Sequence, residues 1–108
     1  MNVTITDGAL KEIRSIAERK KIKDVAVYLD IVTTCCSMIP FVKVIEQQDA
    51  GSEAIKNVAG MPIYSCDLIK QILMNQDDVK AEIDLFKFFD FDELMIRFYK
   101  DAFNLSVT

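Results

Sequence analysis

Two adjacent cysteines, Cys35 and Cys36, carry the strongest indication of chemistry in this chain, and both lie in the uncharged stretch of residues 31–42. Neighbouring Cα atoms joined by a trans peptide are about 3.8 Å apart, whereas ordinary disulfides span roughly 4.4–6.8 Å. A disulfide within the pair would therefore strain the backbone and be easily reduced. Three uses remain open: a labile redox couple, a site for a soft metal or sulfur species, and two cysteines that only fill space.

The position of the pair decides whether both sulfurs can reach one target. Adjacent side chains in a regular strand point to opposite faces, so convergence requires irregular backbone. Polar residues around the pair and a proline beyond it indicate that a strand has ended: Thr33, Thr34, Ser37 and Pro40. Thiolates are soft ligands that favour zinc, copper(I) or iron–sulfur species. Two thiolates leave such a site incomplete, so a third is needed from Cys66, a partner subunit or an exogenous thiol.

Cys66 is the remaining candidate ligand, directly before a helix predicted to begin near Asp67. The helix dipole favours a thiolate at that position, and the negative charge of Asp67 opposes it. An ordinary buried cysteine is the alternative interpretation. The chain has no histidine, which removes the commonest metal ligand and general base. The predicted metal ligands are thus Cys35, Cys36 and Cys66, and no catalytic residue is assigned.

Composition limits the class of protein. A chain of 108 residues suits a single domain over 1–108. A net charge of −4 and an isoelectric point near 4.7 argue against a nucleic-acid partner. The start of the chain lacks a secretory pattern, and the longest uncharged run is shorter than the ~20 residues that a membrane helix needs. We therefore expect no membrane partner and a reducing cytoplasmic location, where thiols stay free or metal-bound.

Hydrophobic periodicity predicts the elements that must position these thiols. The predicted strands are 3–5, 25–32, 41–46, 54–58, 61–64 and 79–86, and the predicted helices are 7–20, 67–76 and 90–103. Thr6 is a suitable N-cap for the first helix. This order predicts an α+β domain: a small mixed β-sheet with an N-terminal helix, a short middle helix and a C-terminal helix.

A phenylalanine cluster precedes the last predicted helix. Strand alternation places Phe86 and Phe88 on one side and Phe89 and Phe91 on the other. One small domain can hardly bury all four, so a subunit interface and a core strand both remain open. The interface interpretation favours a homo-oligomer or a non-catalytic interaction module. Nearby acidic residues match no calcium loop and indicate a solvated face: Asp84, Asp90, Asp92, Glu93 and Asp101.

With these elements in place, the sequence resembles the A-type iron–sulfur carriers, the HesB/IscA-like family. The resemblance covers about residues 1–86. It rests on the opening strand and helix in 3–13, on 27–31 followed by Cys36-Ser37, on the return strand in 41–45, and on 60–64 and 83–84. The family ends the strand before the cysteine in a Gly-Cys-Ser-Gly loop. Cys36 is similar to the family ligand in that loop, and Cys35 stands where the family has glycine.

One family feature has no counterpart. A Cys-Gly-Cys near the C-terminus completes the metal or cluster site in family members, and this chain has no cysteine beyond Cys66. The arrangement resembles a divergent HesB-like branch in which a Cys-Cys or selenocysteine-containing pair replaces the three-cysteine site. Such a resemblance implies a HesB-like fold and a thiol-centred role, with Cys36 as principal ligand or nucleophile and Cys35 as its partner.

The resemblance leaves the cofactor open among an iron–sulfur cluster, iron and zinc. The implied partners are a second copy of the chain and either iron–sulfur assembly proteins or thiol redox proteins. Two functions remain as alternatives to binding a soft metal or sulfur species. One is a vicinal-thiol redox protein that cycles Cys35 and Cys36, and the other is a non-catalytic protein-interaction module.

Overall fold

A computed structural model describes residues 2–75 and 78–100. The strands are β1 (Asn2–Ile5), β2 (Val25–Thr33), β3 (Met38–Glu46), β4 (Lys56–Val58), β5 (Met61–Ser65), β6 (Val79–Lys87) and β7 (Asp92–Lys100). The helices are α1 (Asp7–Arg19) and α2 (Asp67–Asn75), and a single 3-10 turn covers Gln47–Asp49. Over these residues the predicted α+β class is confirmed.

The strands form two sheets in the described part of the chain, not the single sheet predicted, one in the order β3-β2-β5-β4 and the other in the order β1-β6-β7. β2 runs antiparallel to β3 and parallel to β5. β6 runs antiparallel to β7 and parallel to β1. Each sheet is therefore mixed, and each contains one long hairpin, β2–β3 or β6–β7.

The N-terminal helix confirms the prediction from its periodicity. Thr6 caps it, since the Thr6 hydroxyl accepts a hydrogen bond from the Ala9 amide at 3.3 Å. Its buried face consists of Ala9, Ile13 and Ala17. This face packs into the common core, whose most deeply buried large side chains are Val3, Ile13, Val27, Leu29, Ile63, Ile69 and Ile83. Each such side chain contributes about 1.5–3 kcal/mol by leaving water.

The predicted C-terminal helix is wrong over the described residues, because Asp92–Lys100 form strand β7. Leu94 pairs with Leu85, and Ile96 pairs with Ile83. Leu94, Ile96 and Phe98 recur at every second position and contact the core, which is the alternation of a strand. Phe91, Leu94, Met95 and Phe98 also recur at helical spacing, and pairing with β6 decides in favour of the strand. Residues 101–103 of the predicted helix lie outside the described residues.

The phenylalanine cluster is also arranged differently from the prediction. β6 ends at Lys87, so strand alternation does not continue through the cluster. The Phe88 amide donates to the Phe91 carbonyl at 2.8 Å, and the two rings stack with centroids 5.0 Å apart. Phe89 lies between them and is fully exposed. Phe88, Phe89 and Phe91 therefore lie in the turn of the β6–β7 hairpin, whereas Phe86 lies within β6 opposite Glu93. The role of the cluster as an interface stays a prediction.

Candidate functional site

The Cys35–Cys36 pair forms the tip of the β2–β3 hairpin. The two strands pair as far as Thr33 and Met38, and the Thr34 amide donates to the Ser37 carbonyl at 2.8 Å. Only the two cysteines lie beyond this hydrogen bond. Both are exposed free thiols. The expected loop between two strands is confirmed, and it is a tight turn with cysteine at both central positions.

Pro40 does not separate the pair from the next strand, contrary to the prediction, because β3 begins at Met38. Pro40 pairs with Ile31. Since Thr34 and Ser37 are hydrogen-bonded, the alternation of an antiparallel ladder makes Ile31–Pro40 a pair without hydrogen bonds. β2 therefore needs no N–H from Pro40. β3 is also an edge strand, which is where proline is tolerated in a sheet.

A side-chain network holds the turn. The Thr34 hydroxyl donates to the Ser37 carbonyl at 3.0 Å and accepts from the Ser37 amide at 3.0 Å and the Cys36 amide at 3.4 Å. Such threonine contacts replace missing backbone hydrogen bonds in turns. Of the described non-glycine residues, only Lys21 and Ala59 have positive φ. The backbone at Cys35 therefore needs no glycine. This explains how a cysteine fits at the position where the HesB/IscA-like family has glycine.

The two sulfurs converge. The Sγ atoms of Cys35 and Cys36 are 3.4 Å apart, well beyond the ~2.05 Å of a disulfide bond. Two thiolates bound to one tetrahedral metal with bonds of about 2.3 Å lie roughly 3.8 Å apart. The spacing in the free chain is close to this value. The donor type and its geometry thus fit half of a soft-metal site.

The surroundings of the thiols are uncharged and include three exposed apolar side chains. Val32, Met38 and Ile39 expose 49%, 54% and 50% of their surface, and we call these three side chains the apolar collar. The nearest charged residues along the hairpin, Asp30 and Lys43, form an ion pair at 3.3 Å. The two cysteines are therefore open to solvent and to a bulky partner. The nearest hairpin charges, Asp30 and Lys43, neutralise each other.

Cys66 lies apart from the pair. Its amide donates to the Leu29 carbonyl at 2.9 Å, and its carbonyl accepts from the Lys70 amide at 3.1 Å. The side chain is half-buried against the core. From Leu29 to Cys35 the chain spans roughly 20 Å at about 3.3 Å per residue. Ligation by Cys66 stays a prediction, and it requires contact with the tip of another chain.

Carboxylates do not complete the site either. Over residues 2–75 and 78–100, no three cysteine, aspartate or glutamate side chains come together so that they could hold a metal ion. Within one described chain, the structure thus brings together the sulfurs of Cys35 and Cys36 alone as candidate ligands.

Asp84 has a role that the sequence did not indicate, since it was interpreted as part of a solvated acidic face. Its carboxylate accepts from the Thr6 hydroxyl and from the Leu85 amide, both at 2.8 Å, and pairs with Arg97 at 3.3 Å. The Thr6 hydroxyl above all, then the Leu85 amide and the Arg97 charge, lower the pKa of Asp84. Arg97 also pairs with Glu82. These contacts connect the start of α1 to the β6–β7 hairpin, and recognising them requires knowing that hairpin.

No helix among the described residues is long and apolar enough to cross a membrane.

Comparison with known proteins shows a likeness of fold to a solved structure. No protein-family model matches the sequence, and no curated protein matches it significantly. The fold is similar to the crystal structure of Escherichia coli SufA, involved in biosynthesis of iron–sulfur clusters, with a TM-score of 0.56 and 14% sequence identity. The match covers 93% of this chain and 86% of SufA. The likeness supports the HesB/IscA-like fold that the sequence resemblance predicted, with two helices rather than three over the described residues.

Proposed function

We propose that this chain is a thiol-centred protein of HesB-like type that binds a soft metal, an iron–sulfur cluster or a sulfur species through the Cys35–Cys36 turn. The observation that carries the proposal is the position of the two Sγ atoms, 3.4 Å apart and exposed at one hairpin tip. The fold adds support, because SufA is involved in biosynthesis of iron–sulfur clusters. The turn also lies where the resembling family keeps a ligand.

Each residue of the turn has a distinct part in binding. Cys36 is the principal ligand, and Cys35 supplies the second sulfur from the same turn. Thr34 holds the backbone of the turn through the Ser37 and Cys36 amides. The turn therefore loses little conformational entropy when a ligand binds. A bound soft metal would supply a centre that accepts sulfur ligands, and each thiol loses its proton on ligation.

Space filling does not account for the pair. Cysteine is among the residues most often buried, and it behaves there as a small apolar side chain. Cys35 and Cys36 are instead exposed at the end of a hairpin. An exposed pair of thiols fits chemistry better than packing. In a reducing cytoplasm, the location that we propose, both thiols stay available.

The pair resembles the Cys-Cys branch of HesB-like proteins, since the chain has no C-terminal Cys-Gly-Cys. Two thiolates per chain require further ligands from a second chain or from an exogenous thiol. The partners that suit this chemistry are iron–sulfur assembly proteins and thiol redox proteins.

A vicinal-thiol redox function is the second candidate, favoured by the same 3.4 Å separation. Two thiols and one external disulfide would exchange to give a Cys35–Cys36 disulfide and two external thiols, with both protons passing to the leaving thiolates. The strained bond would be reduced readily. Mass measurement after mild oxidation tests it, because the reaction removes two hydrogens from this pair.

Anaerobic reconstitution tests the binding proposal. The reduced chain is incubated with iron and sulfide or with zinc, desalted and analysed for metal. We expect the wild type to retain metal and Cys36→Ser to lose it, with Cys35→Ser impaired as well. Thr33→Ser, an exposed position beside the turn, is the matched control and should bind like the wild type. Equal, negligible metal in the wild type and in Cys36→Ser would overturn metal binding and leave the redox function.

A further inference from the structure

The hairpin tip offers half of a metal site, and the structure indicates what supplies the other half. We propose that two copies of this chain meet tip to tip and hold one tetrahedral soft metal ion between them, with Cys35 and Cys36 of each chain as its four ligands. This inference rests on the proposed function of the pair. It adds the identity of the missing ligands and the partner that brings them.

The sulfur geometry is the first argument. Each chain presents two Sγ atoms 3.4 Å apart, and a tetrahedral metal with bonds of about 2.3 Å needs them roughly 3.8 Å apart. Side-chain torsions of a few degrees to tens of degrees within a rotamer well cover this difference. Each tip is thus close to a preformed two-sulfur ligand, and two such tips complete a tetrahedral set of four.

Charge is the second argument. The chain carries a net charge of −4, so two copies repel each other in most orientations. Residues 31–42 carry no charge, and the adjacent Asp30 and Lys43 neutralise each other. Exposed charges farther away than about 8 Å are largely screened at physiological salt. Two copies can therefore approach each other at the tip without strong repulsion between like charges.

The apolar collar is the third argument, because it surrounds the thiols with surface that a second tip can cover. Val32 and Ile39 are opposite each other in the β2–β3 register and share one face of the hairpin, whereas Met38, which pairs with Thr33, lies on the other face. Three half-exposed side chains offer on the order of 300 Å² per chain, well below the ~800 Å² per partner of a standard interface. The collars alone do not make a stable dimer, so the dimer should depend on the metal.

Pro40 makes the alternative association through the edge of β3 less suitable. Its ring nitrogen faces away from β2, toward the open side of the ladder, and it carries no hydrogen. If β3 of a second copy paired with this edge, Pro40 could not donate a hydrogen bond to it. Prolines protect sheet edges from association in this way. Tip-to-tip contact keeps the two ladders separate and brings the four sulfurs together.

Binding involves no electron transfer. One Zn²⁺ ion replaces up to four thiol protons and leaves a tetrathiolate centre with a charge of −2. The protons pass to the buffer, so affinity should rise with pH.

Zinc titration of the reduced protein under anaerobic conditions tests the inference, with sedimentation velocity and metal analysis on the same samples. We expect the apoprotein to sediment as a monomer and zinc to convert it to a dimer with one metal per two chains, reversed by a chelator. One zinc per monomer would overturn the two-copy site and leave the proposed metal binding intact. No retained zinc would overturn the two-copy zinc site, and reconstitution with iron and sulfide would then decide the proposed function separately.

Three variants sharpen the test. Cys36→Ser should abolish the zinc-dependent dimer. Ile39→Lys keeps all thiols and puts like charges at the contact, so it should weaken the dimer at least 10-fold at low salt and less at high salt. Phe89→Ser alters the other hairpin tip and should leave the zinc-dependent dimer unchanged. A dimer that persists in Cys36→Ser and disappears in Phe89→Ser would overturn the inference in favour of the phenylalanine turn.

Discussion

Thr34 and Ser37 close the turn that presents both thiols: the Thr34 amide donates to the Ser37 carbonyl at 2.8 Å, and the Ser37 amide donates to the Thr34 hydroxyl at 3.0 Å. These two residues pair across the hairpin directly below Cys35 and Cys36. The geometry of the sulfurs therefore depends on them. Neither residue has metal-binding chemistry of its own, which makes their effect on the site separable from ligation.

Thr34→Val removes the hydroxyl and keeps the shape of the side chain. We expect the turn to loosen and zinc affinity to fall roughly 10-fold, as for other residues that orient metal ligands, whereas the free energy of unfolding should fall by only about 1 kcal/mol. Competition with a zinc-binding dye measures the affinity. Thr33→Val is the control, since Thr33 makes no comparable contact with the turn amides. Equal affinities of the two variants would show that the hydroxyl does not organise the pair.

Asp84→Asn tests the contacts between the start of α1 and the β6–β7 hairpin. The Thr6 hydroxyl, the Leu85 amide and Arg97 lower the pKa of Asp84 in the folded chain. The charged carboxylate therefore stabilises the fold above its unfolded pKa of about 3.9, and this contribution is lost as the pH falls through the lower folded pKa. Urea unfolding at several pH values should show wild-type stability falling more steeply than that of Asp84→Asn under acid conditions.

Glu93→Gln is the matched control for this series, because Glu93 is exposed on the same hairpin. It should follow the wild-type pH profile. A profile of Asp84→Asn that parallels the wild type down to pH 3 would contradict the assigned contacts.

Ile96→Ala tests the strand assignment of β7. Ile96 is buried, so its truncation should cost about 2–4 kcal/mol of unfolding free energy. The neighbouring Tyr99 is 41% exposed on the other face, and Tyr99→Ala should cost less than about 1 kcal/mol. Chemical denaturation measures both. Similar losses at the two positions would contradict the alternation of a strand.

Phe89→Ser tests the second hairpin tip. Phe89 is fully exposed, so we expect the free energy of unfolding to change by no more than about 0.5 kcal/mol. Phe91→Ala removes the ring that stacks on Phe88 and should cost about 0.5–1.5 kcal/mol. Sedimentation of the two variants also tests the predicted aromatic interface. Unchanged association in both would remove the phenylalanine turn from any account of self-association.

Local patterns predicted much of the fold. The alternation of Val25, Val27 and Leu29 indicated β2, and the Thr6 cap with Ile13 on the apolar face indicated α1; the structure has both. The last element was predicted wrongly, because apolar spacing there fits two periodicities. Only the pairing of β7 with β6 distinguishes them, and that pairing is a long-range property.

The candidate site was predictable in its residues and only partly in its geometry. Adjacent cysteines between two strands indicated a loop, but the convergence of their sulfurs depends on a turn with cysteine at both central positions. That turn length follows from the register of β2 and β3, which pairs Ile31 with Pro40. Proline predicts a strand boundary because its missing N–H breaks a central ladder, but Pro40 lies in the edge strand β3, where that hydrogen bond is not needed.

The ligand role of Cys35 and Cys36 is tested most directly by the X-ray absorption spectrum of the zinc-loaded chain, measured together with the metal content of wild type and Cys36→Ser. We expect zinc surrounded by sulfur at about 2.3 Å in the wild type, and loss of the bound zinc in Cys36→Ser. Zinc bound through oxygen or nitrogen alone, or retained equally by Cys36→Ser, would contradict the assignment of Cys35 and Cys36 as the binding site.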